Sequence, residues 1–362
     1  MRVRLGDVCE KGTSNIAQKD LENCNGDYPI YGASGFIKNI DFYHQEKPYI
    51  AVIKDGAGVG RIMKLPAKTS VIGTMQYILP KDNIYISYLA FAMEYMNLSK
   101  YYTGATIPHI YFKDYKKEEI NLPPLEEQRK IADILDKVTD LIEKRKQQID
   151  KLDLLVKAKF IEMFGDPVEN PKQWSSLMLR EVCKTIFGGG TPLKNQPKYY
   201  TGNIPWISPK DMKSLIINDS IDHITEEAIQ NSSTNLIPKK SVLMVIRSGI
   251  LKHKLPVAIN NVMVTINQDM KAFLPNDVIT SEYLMYYFLS IEKEILSGVR
   301  GVTADNIDFK VFQKRLILVP PIGLQQDFSD FVNQTEKQKI KINESLEKLE
   351  MLKKSLMQQY FM

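Results

Sequence analysis

The chain has 362 residues, 44% hydrophobic and 25% charged, which suits about two or three globular cores and excludes low-complexity or disordered classes. No run approaches the ~18 apolar residues of a membrane span, and the opening MRVRLGDVCEKG has no apolar signal region. Cys9, Cys24 and Cys183 have no metal spacing and read as reduced thiols, so a cytoplasmic location is expected. The net charge of +5 is unevenly placed: Glu126–Phe164 holds nine basic and nine acidic residues, so the excess sits outside the helical stretches. Mildly basic globular segments beside neutral ones fit contact with an acidic polymer.

Taken in chain order, the elements occur twice. LGDVC from Leu5 reappears as LREVC from Leu179, and IYG after Tyr28-Pro29 faces WIS after Ile204-Pro205. A strand ending in VIKDG, from Val52, pairs with VIRSG, from Val245, which sets Lys54 opposite Arg247. Ser87-Tyr88-Leu89 pairs with Glu282-Tyr283-Leu284, and GATIPHIYFK from Gly104 with GVTADNIDFK from Gly301, which sets Lys113 opposite Lys310. LPPLEEQRK from Leu122 then matches VPPIGLQQD from Val319, and residues 122–164 slide onto 319–361 without a gap. A repeat in this order predicts four segments: 1–122, 123–164, 165–319 and 320–362, alternately globular and helical. The second globular copy is the longer, mainly around Lys213–Lys240.

Each proline pair stops a strand and opens a charged helix. Ile131, Leu135, Val138, Ile142, Ile149, Leu152 and Val156 keep a spacing of alternately four and three, with Arg145 in one slot. The second helix continues the seam through Phe328, Val332, Thr335, Ile342, Leu346, Leu349 and Leu356, interrupted by Lys339 and Lys353. Each segment offers roughly 30 helical residues, or about 45 Å. A single apolar stripe of that length needs a partner, and the two helices can serve each other if they pair antiparallel.

Catalytic signatures are sparse. YIAVIKDGAGVGRI carries Gly56, Gly58 and Gly60 but runs into Pro66 where a dinucleotide site needs a helix, so a tight loop is expected. FGGGTPLKN, from Phe187, lacks the Lys-Ser/Thr ending of a nucleotide loop; it is a plain turn or a holder of a DNA phosphate. His44, His109, His223 and His253 are scattered without metal spacing, and no metal site is expected. There is no Gly-x-Ser-x-Gly elbow and no Asn/Asp-Pro-Pro-Tyr/Phe segment of an amino-methyltransferase. Asp114-Tyr115-Lys116 and Asp211-Met212-Lys213 are half of a nuclease pattern without a partner acid.

The proline pairs, the Gln-containing helix starts, the heptad helix ending near FIEMFGDP and the two-copy layout resemble the specificity subunit of Type I restriction-modification enzymes. YPIYGASGFI, GAGVGRI and GATIPHIYFK are similar to segments of that family's target recognition domains. The resemblance spans essentially the whole chain. It implies an α+β architecture: two α/β recognition domains with mixed β-sheets, separated by two long antiparallel coiled-coil helices in a pseudo-twofold arrangement. It implies a subunit without catalysis that reads a bipartite duplex and docks two methyltransferase subunits and restriction subunits. The chain itself would hold no cofactor; S-adenosylmethionine, ATP and Mg would reside on the partners. DNA contacts are then expected from basic or amide side chains on the matched loops. In the first copy these are Lys54, Arg61, Lys64, Thr106, His109 and Lys113. In the second they are Lys194, Lys210, Arg247, Lys252, Lys254, Arg300, Thr303, Asn306 and Lys310. The alternatives are a coiled-coil adaptor binding only proteins, or a stand-alone nuclease or methyltransferase with a disguised site.

Overall fold

The computed structural model describes residues 1–104, 108–299 and 305–362; Thr106, Arg300 and Thr303 lie outside the described residues. The fold is α+β, and the chain divides into two compact units. Unit 1 is Met1–Gln147 together with Ile342–Met362, and unit 2 is Gln148–Lys341. Each unit takes in the start of one long helix and the end of the other.

In unit 1 an antiparallel sheet runs Cys9–Thr13, Met75–Pro80, Tyr49–Ile53, Ile62–Leu65. Its strand YIAVI is buried along its whole length, as β-branched and aromatic side chains favour in a strand covered on both faces. A second, mixed sheet runs Gly35–Ile40, Tyr28–Gly32, Ser70–Val71. Arg2–Arg4 pairs with Glu119–Asn121 beside the start of the long helix.

Unit 2 repeats this plan. Its larger sheet runs Cys183–Gly188, Met270–Pro275, Val242–Val245, Val257–Asn260, and the inserted region adds Ile216–Ile217 as a parallel edge strand. The same region supplies the helix Glu226–Gln230. Cys9 stands opposite Pro80 as Cys183 stands opposite Pro275, and Ile30 opposite Ser70 as Trp206 opposite Thr265.

The long helices are Leu125–Phe164 and Ile322–Phe361, 40 residues each and about 60 Å long. They exceed the expected 30 residues because helix begins directly after each proline pair and runs on to a phenylalanine. The Pro124 and Pro321 carbonyls accept the first helical bonds, from the amides of Gln128 and Gln325 at 3.0 and 3.3 Å. After Phe164 the chain turns at Gly165, whose φ of +79° suits glycine, and Lys172 donates to the orphan carbonyls of Glu162 and Met163.

Gln128 and Gln325, both fully buried, fix the exit of each helix in the same way. The Gln128 Oε1 accepts from the Tyr85 amide at 2.8 Å, and its Nε2 donates to the carbonyls of Asn83 and Pro123 at 3.2 and 2.8 Å. The Gln325 Oε1 accepts from the Thr280 amide at 3.0 Å, and its Nε2 donates to Val278 and Pro320 at 3.0 and 2.8 Å. Below each glutamine a tyrosine locks the last strand: Tyr88 donates to the Asn121 carbonyl at 2.8 Å and Tyr283 to that of Leu318 at 3.0 Å. Burial pushes the Tyr88 phenol up to about 12 and raises Tyr283 as well, so both remain neutral donors.

In unit 1, Ile131, Ala132 and Leu135 share a core with Met357, against which Leu356, Tyr360 and Phe361 pack. In unit 2, Val156, Phe160 and Phe164 share a core with Phe328 and Val332. In each unit the start of one long helix therefore meets the end of the other, and the two segments run antiparallel. Of the seam residues, Ile131, Leu135, Val138, Ile142, Val156, Phe328 and Val332 are buried. Ile149, Leu152, Ile342, Leu346, Leu349 and Leu356 are half-buried. The seam's lysines are both partnered: Lys339 donates to Asp153 at 2.7 Å and Glu336 at 2.8 Å, and Lys353 to Glu94 at 2.8 Å. Burial works to lower the Lys339 amine, but the bonds to Asp153 and Glu336 outweigh it and hold the amine above its ordinary value. Among the described residues no helix is long and apolar enough to cross a membrane.

Candidate functional site

Each unit carries a basic cleft made by the same three elements: a buried central strand, its neighbour, and the segment before the last strand that leads into the long helix. In unit 1 the amides of Lys54 and Asp55 donate to the Thr74 carbonyl at 3.0 and 3.2 Å, and the Ile110 amide to the Lys54 carbonyl at 3.0 Å. In unit 2 the amides of Ile246 and Arg247 donate to the Asp269 carbonyl at 2.8 and 3.1 Å, and the Ile307 amide to the Ile246 carbonyl at 2.9 Å. A bridge joins Asp55 to His109 in one, and Arg247 to Asn306 in the other.

These bonds correct the pairing of Lys54 with Arg247. Lys54 occupies the position of Ile246, and Arg247 that of Asp55. The sheet register agrees, since Ile53 faces Met75 and Val245 faces Met270. Lys113 and Lys310 do share one position, in the short helices Phe112–Tyr115 and Phe309–Phe312.

The first cleft encloses about 400 Å³ and is lined by Lys11, Lys54, Gln76, His109, Lys113 and Lys116. His109 is bonded through Nδ1 to Asp55, and its ring lies 4.1 Å from that of Tyr111, centroid to centroid. Lys113 sits over the Tyr111 ring at 5.0 Å. Gln76 is buried at the floor and donates to Tyr115. The second cleft encloses about 550 Å³ and is lined by Arg247, Gln268, Lys271, Asn306, Asp308 and Lys310. Lys271 takes the register of Gln76 and lies 4.7 Å from the Phe309 ring centre. Several cations converging on one cleft repel one another and are relieved by an anionic ligand, as a phosphate backbone would be.

Of the residues expected from sequence, the first cleft thus collects Lys54, His109 and Lys113, and the second Arg247, Asn306 and Lys310. Lys64 points elsewhere: it donates to Ser87 at 2.8 Å and to Asp136 of the long helix at 3.2 Å. Arg61 closes the turn of Gly56, Gly58 and Gly60, all at positive φ, and donates to the Ala33 carbonyl at 3.1 Å. Lys194, Lys210, Lys252 and Lys254 are exposed on other turns, although Lys252 approaches Asp305, next to Asn306, at 3.9 Å. Lys11, Lys116, Gln76, Gln268 and Lys271 escaped sequence reasoning: strand register brings Lys11, Gln76 and Lys271 to the clefts, Lys116 follows the short helix that holds Lys113, and Gln268 sits in the turn before Met270–Pro275. The FGGGTP turn packs inward: a Cβ on Gly189 would lie 1.7 Å from the Asn267 carbonyl oxygen, and the Gly190 amide is already bonded to Ile266. Among the described residues no group of His, Cys, Asp and Glu is placed to hold a metal ion.

The family model described as the Type I restriction modification DNA specificity domain matches residues 1–153 and 171–353. The specificity subunit of the Type I restriction enzyme EcoR124I/EcoR124II from Escherichia coli is 34% identical over 250 residues, covering 65% of this chain and 60% of that protein. The MjaIX specificity subunit from Methanocaldococcus jannaschii is 25% identical over 276 residues, covering 70% of this chain and 63% of that one. The match thus spans about three-fifths of the length of these relatives. Among solved structures, the S subunit of a Type I restriction-modification system from M. genitalium superposes with a TM-score of 0.67. It covers 100% of this chain and 96% of the other at 16% identity, a likeness of fold.

Proposed function

This chain belongs to the Type I restriction modification DNA specificity family, and from that premise we propose that it reads a two-part duplex target, one half with each basic cleft. The observation that carries this reading is the pair of clefts. They are built on one scaffold, both are cationic, and they differ at the side chains around the mouth. Residues 1–122 and 165–319 would be the recognition domains, and 123–164 and 320–362 the spacers that set the distance between half-sites. Two modest half-sites tied together act as one demanding site. The shared lysines Lys113 and Lys310 suit the sugar-phosphate backbone, and the side chains that differ suit base edges.

The partners of this complex would be two methyltransferase subunits, joined by restriction subunits, with S-adenosylmethionine, ATP and Mg on those partners. Support for two copies of one partner comes from apolar side chains exposed at matched positions of the two long helices. Leu125 and Ile322, Leu154 and Met351, and Leu155 and Leu352 are each about equally exposed.

The test uses the full chain assembled with its methyltransferase partner. Binding to a duplex carrying the host's modified sequence should fall steeply with salt. Salt-insensitive binding, or none, would leave a protein-binding adaptor. Inserting seven residues into either long helix should change the spacing between half-sites, or abolish activity, without changing the half-site sequences. Altered half-sites would overturn the division into readers and spacers.

A further inference from the structure

Arg247 is held by more of its surroundings than a solvated surface arginine needs. Its Nε donates to the Asp269 Oδ1 at 2.6 Å. Asp269 is itself braced by Asn267, whose Nδ2 donates to the other carboxylate oxygen at 3.2 Å and whose Oδ1 accepts the Asp269 amide at 3.1 Å. The backbone beneath is tied on both sides, by the Arg247 amide to Asp269 and by the Ser248 amide to the Asp305 carbonyl at 3.1 Å. The side chain remains about half exposed and lines the cleft with Asn306 and Lys310. A carboxylate that engages Nε fixes the plane of the guanidinium and leaves its terminal nitrogens to act as a two-pronged donor. Fixing that plane beforehand removes the entropy that a free arginine loses on binding.

A fork of two donors matches the O6 and N7 acceptors of guanine in the major groove, and no other base offers that pair. A phosphate also accepts such a fork, but a backbone contact is common to any sequence and gives the two units no reason to differ at this position. The position is also one where the two units differ in sign, since unit 1 has Asp55 there, bonded to His109.

We infer that Arg247 reads a guanine in the half-site bound by unit 2, with Asp269 as the residue that positions it. This rests on the DNA-reading function proposed above. The test measures binding of the full chain, assembled with its methyltransferase partner, to a duplex carrying the host's modified sequence and to all its single-base-pair variants. R247K keeps the charge and loses the fork. It should reduce the preference for guanine at one position about 10- to 100-fold, leaving the salt slope and every position of the other half-site unchanged. D269N, which leaves Arg247 in place but weakens its brace, should lose part of the same preference at the same position. Arg247 is instead a backbone contact if R247A weakens all sequences equally, lowers the salt slope by about one, and R247K restores both. Unchanged preferences in R247K and R247A alike would also overturn the assignment. If the unsubstituted complex shows no preference among the variants, the function proposed above fails, and this inference with it.

Discussion

The two units fix the exits of their long helices with the same residues and line their clefts with different ones. Where the chain leaves a recognition domain for a long helix, unit 1 has Gln128, Tyr88 and a proline pair, and unit 2 has Gln325, Tyr283 and a proline pair, with matching hydrogen bonds. At the cleft mouth, Asp55 of unit 1 corresponds to Arg247 of unit 2, and His109 to Asn306. Buried amides and carbonyls allow few substitutes, because each lost partner leaves a desolvated group behind. Side chains at an open mouth carry no such cost and are free to vary with the ligand. If the clefts read DNA as proposed, the repeat separates framework from readout within a single chain.

The largest test of the shared framework is aromatic. Phe164 is 2% exposed and packs on Phe160, Tyr283 and Phe328, with the Tyr283 ring centre at 4.7 Å. Its counterpart Phe361 is half-buried against Tyr88 and Tyr95. Phe164→Ala should cost about 3–5 kcal/mol, and Phe361→Ala about half of that. Urea unfolding checks this, and equal costs would mean that the second contact is as well packed as the first. Next come the glutamines. Gln128→Ala and Gln325→Ala should each cost about 2–4 kcal/mol by orphaning an amide and two carbonyls. Denaturation midpoints that move for only one of them would break the equivalence of the two helix starts. The smallest effect belongs to the shared cations. Lys113→Ala and Lys310→Ala should weaken DNA binding evenly across sequences and reduce the salt slope by about 0.9 each. A change in base preference from either would move that lysine from framework to readout.

Much of this was legible in the sequence because the repeat is carried by side chains that cannot change, such as the prolines and the buried Gln and Tyr. The readout was harder to place. VIKDG and VIRSG align by eye, yet hydrogen bonds to the Thr74 and Asp269 carbonyls slide them by one, so that Arg247 takes the position of Asp55 and not of Lys54. In a strand a slip of one residue reverses the face, and three matching letters could not detect it. Lys64 looked like a loop cation because nothing local marks its partner, Asp136, which lies 72 positions away. Lys11 and Lys271 join their clefts only through neighbouring strands. Lys339 and Lys353, which read as faults in a heptad, are anchored on carboxylates.

The way Met357 enters the core of unit 1 bears on how the molecule is made. Gln148–Lys341 contains every residue of unit 2, whereas unit 1 is completed only by Ile342–Met362. Chains are synthesised from the amino terminus, and domains generally mature in that order. Here the ribosome delivers the full complement of unit 2 first. Residues 1–147 emerge earliest, yet the helix turn bearing Met357, Tyr360 and Phe361, which packs into their core, is the last part to be made.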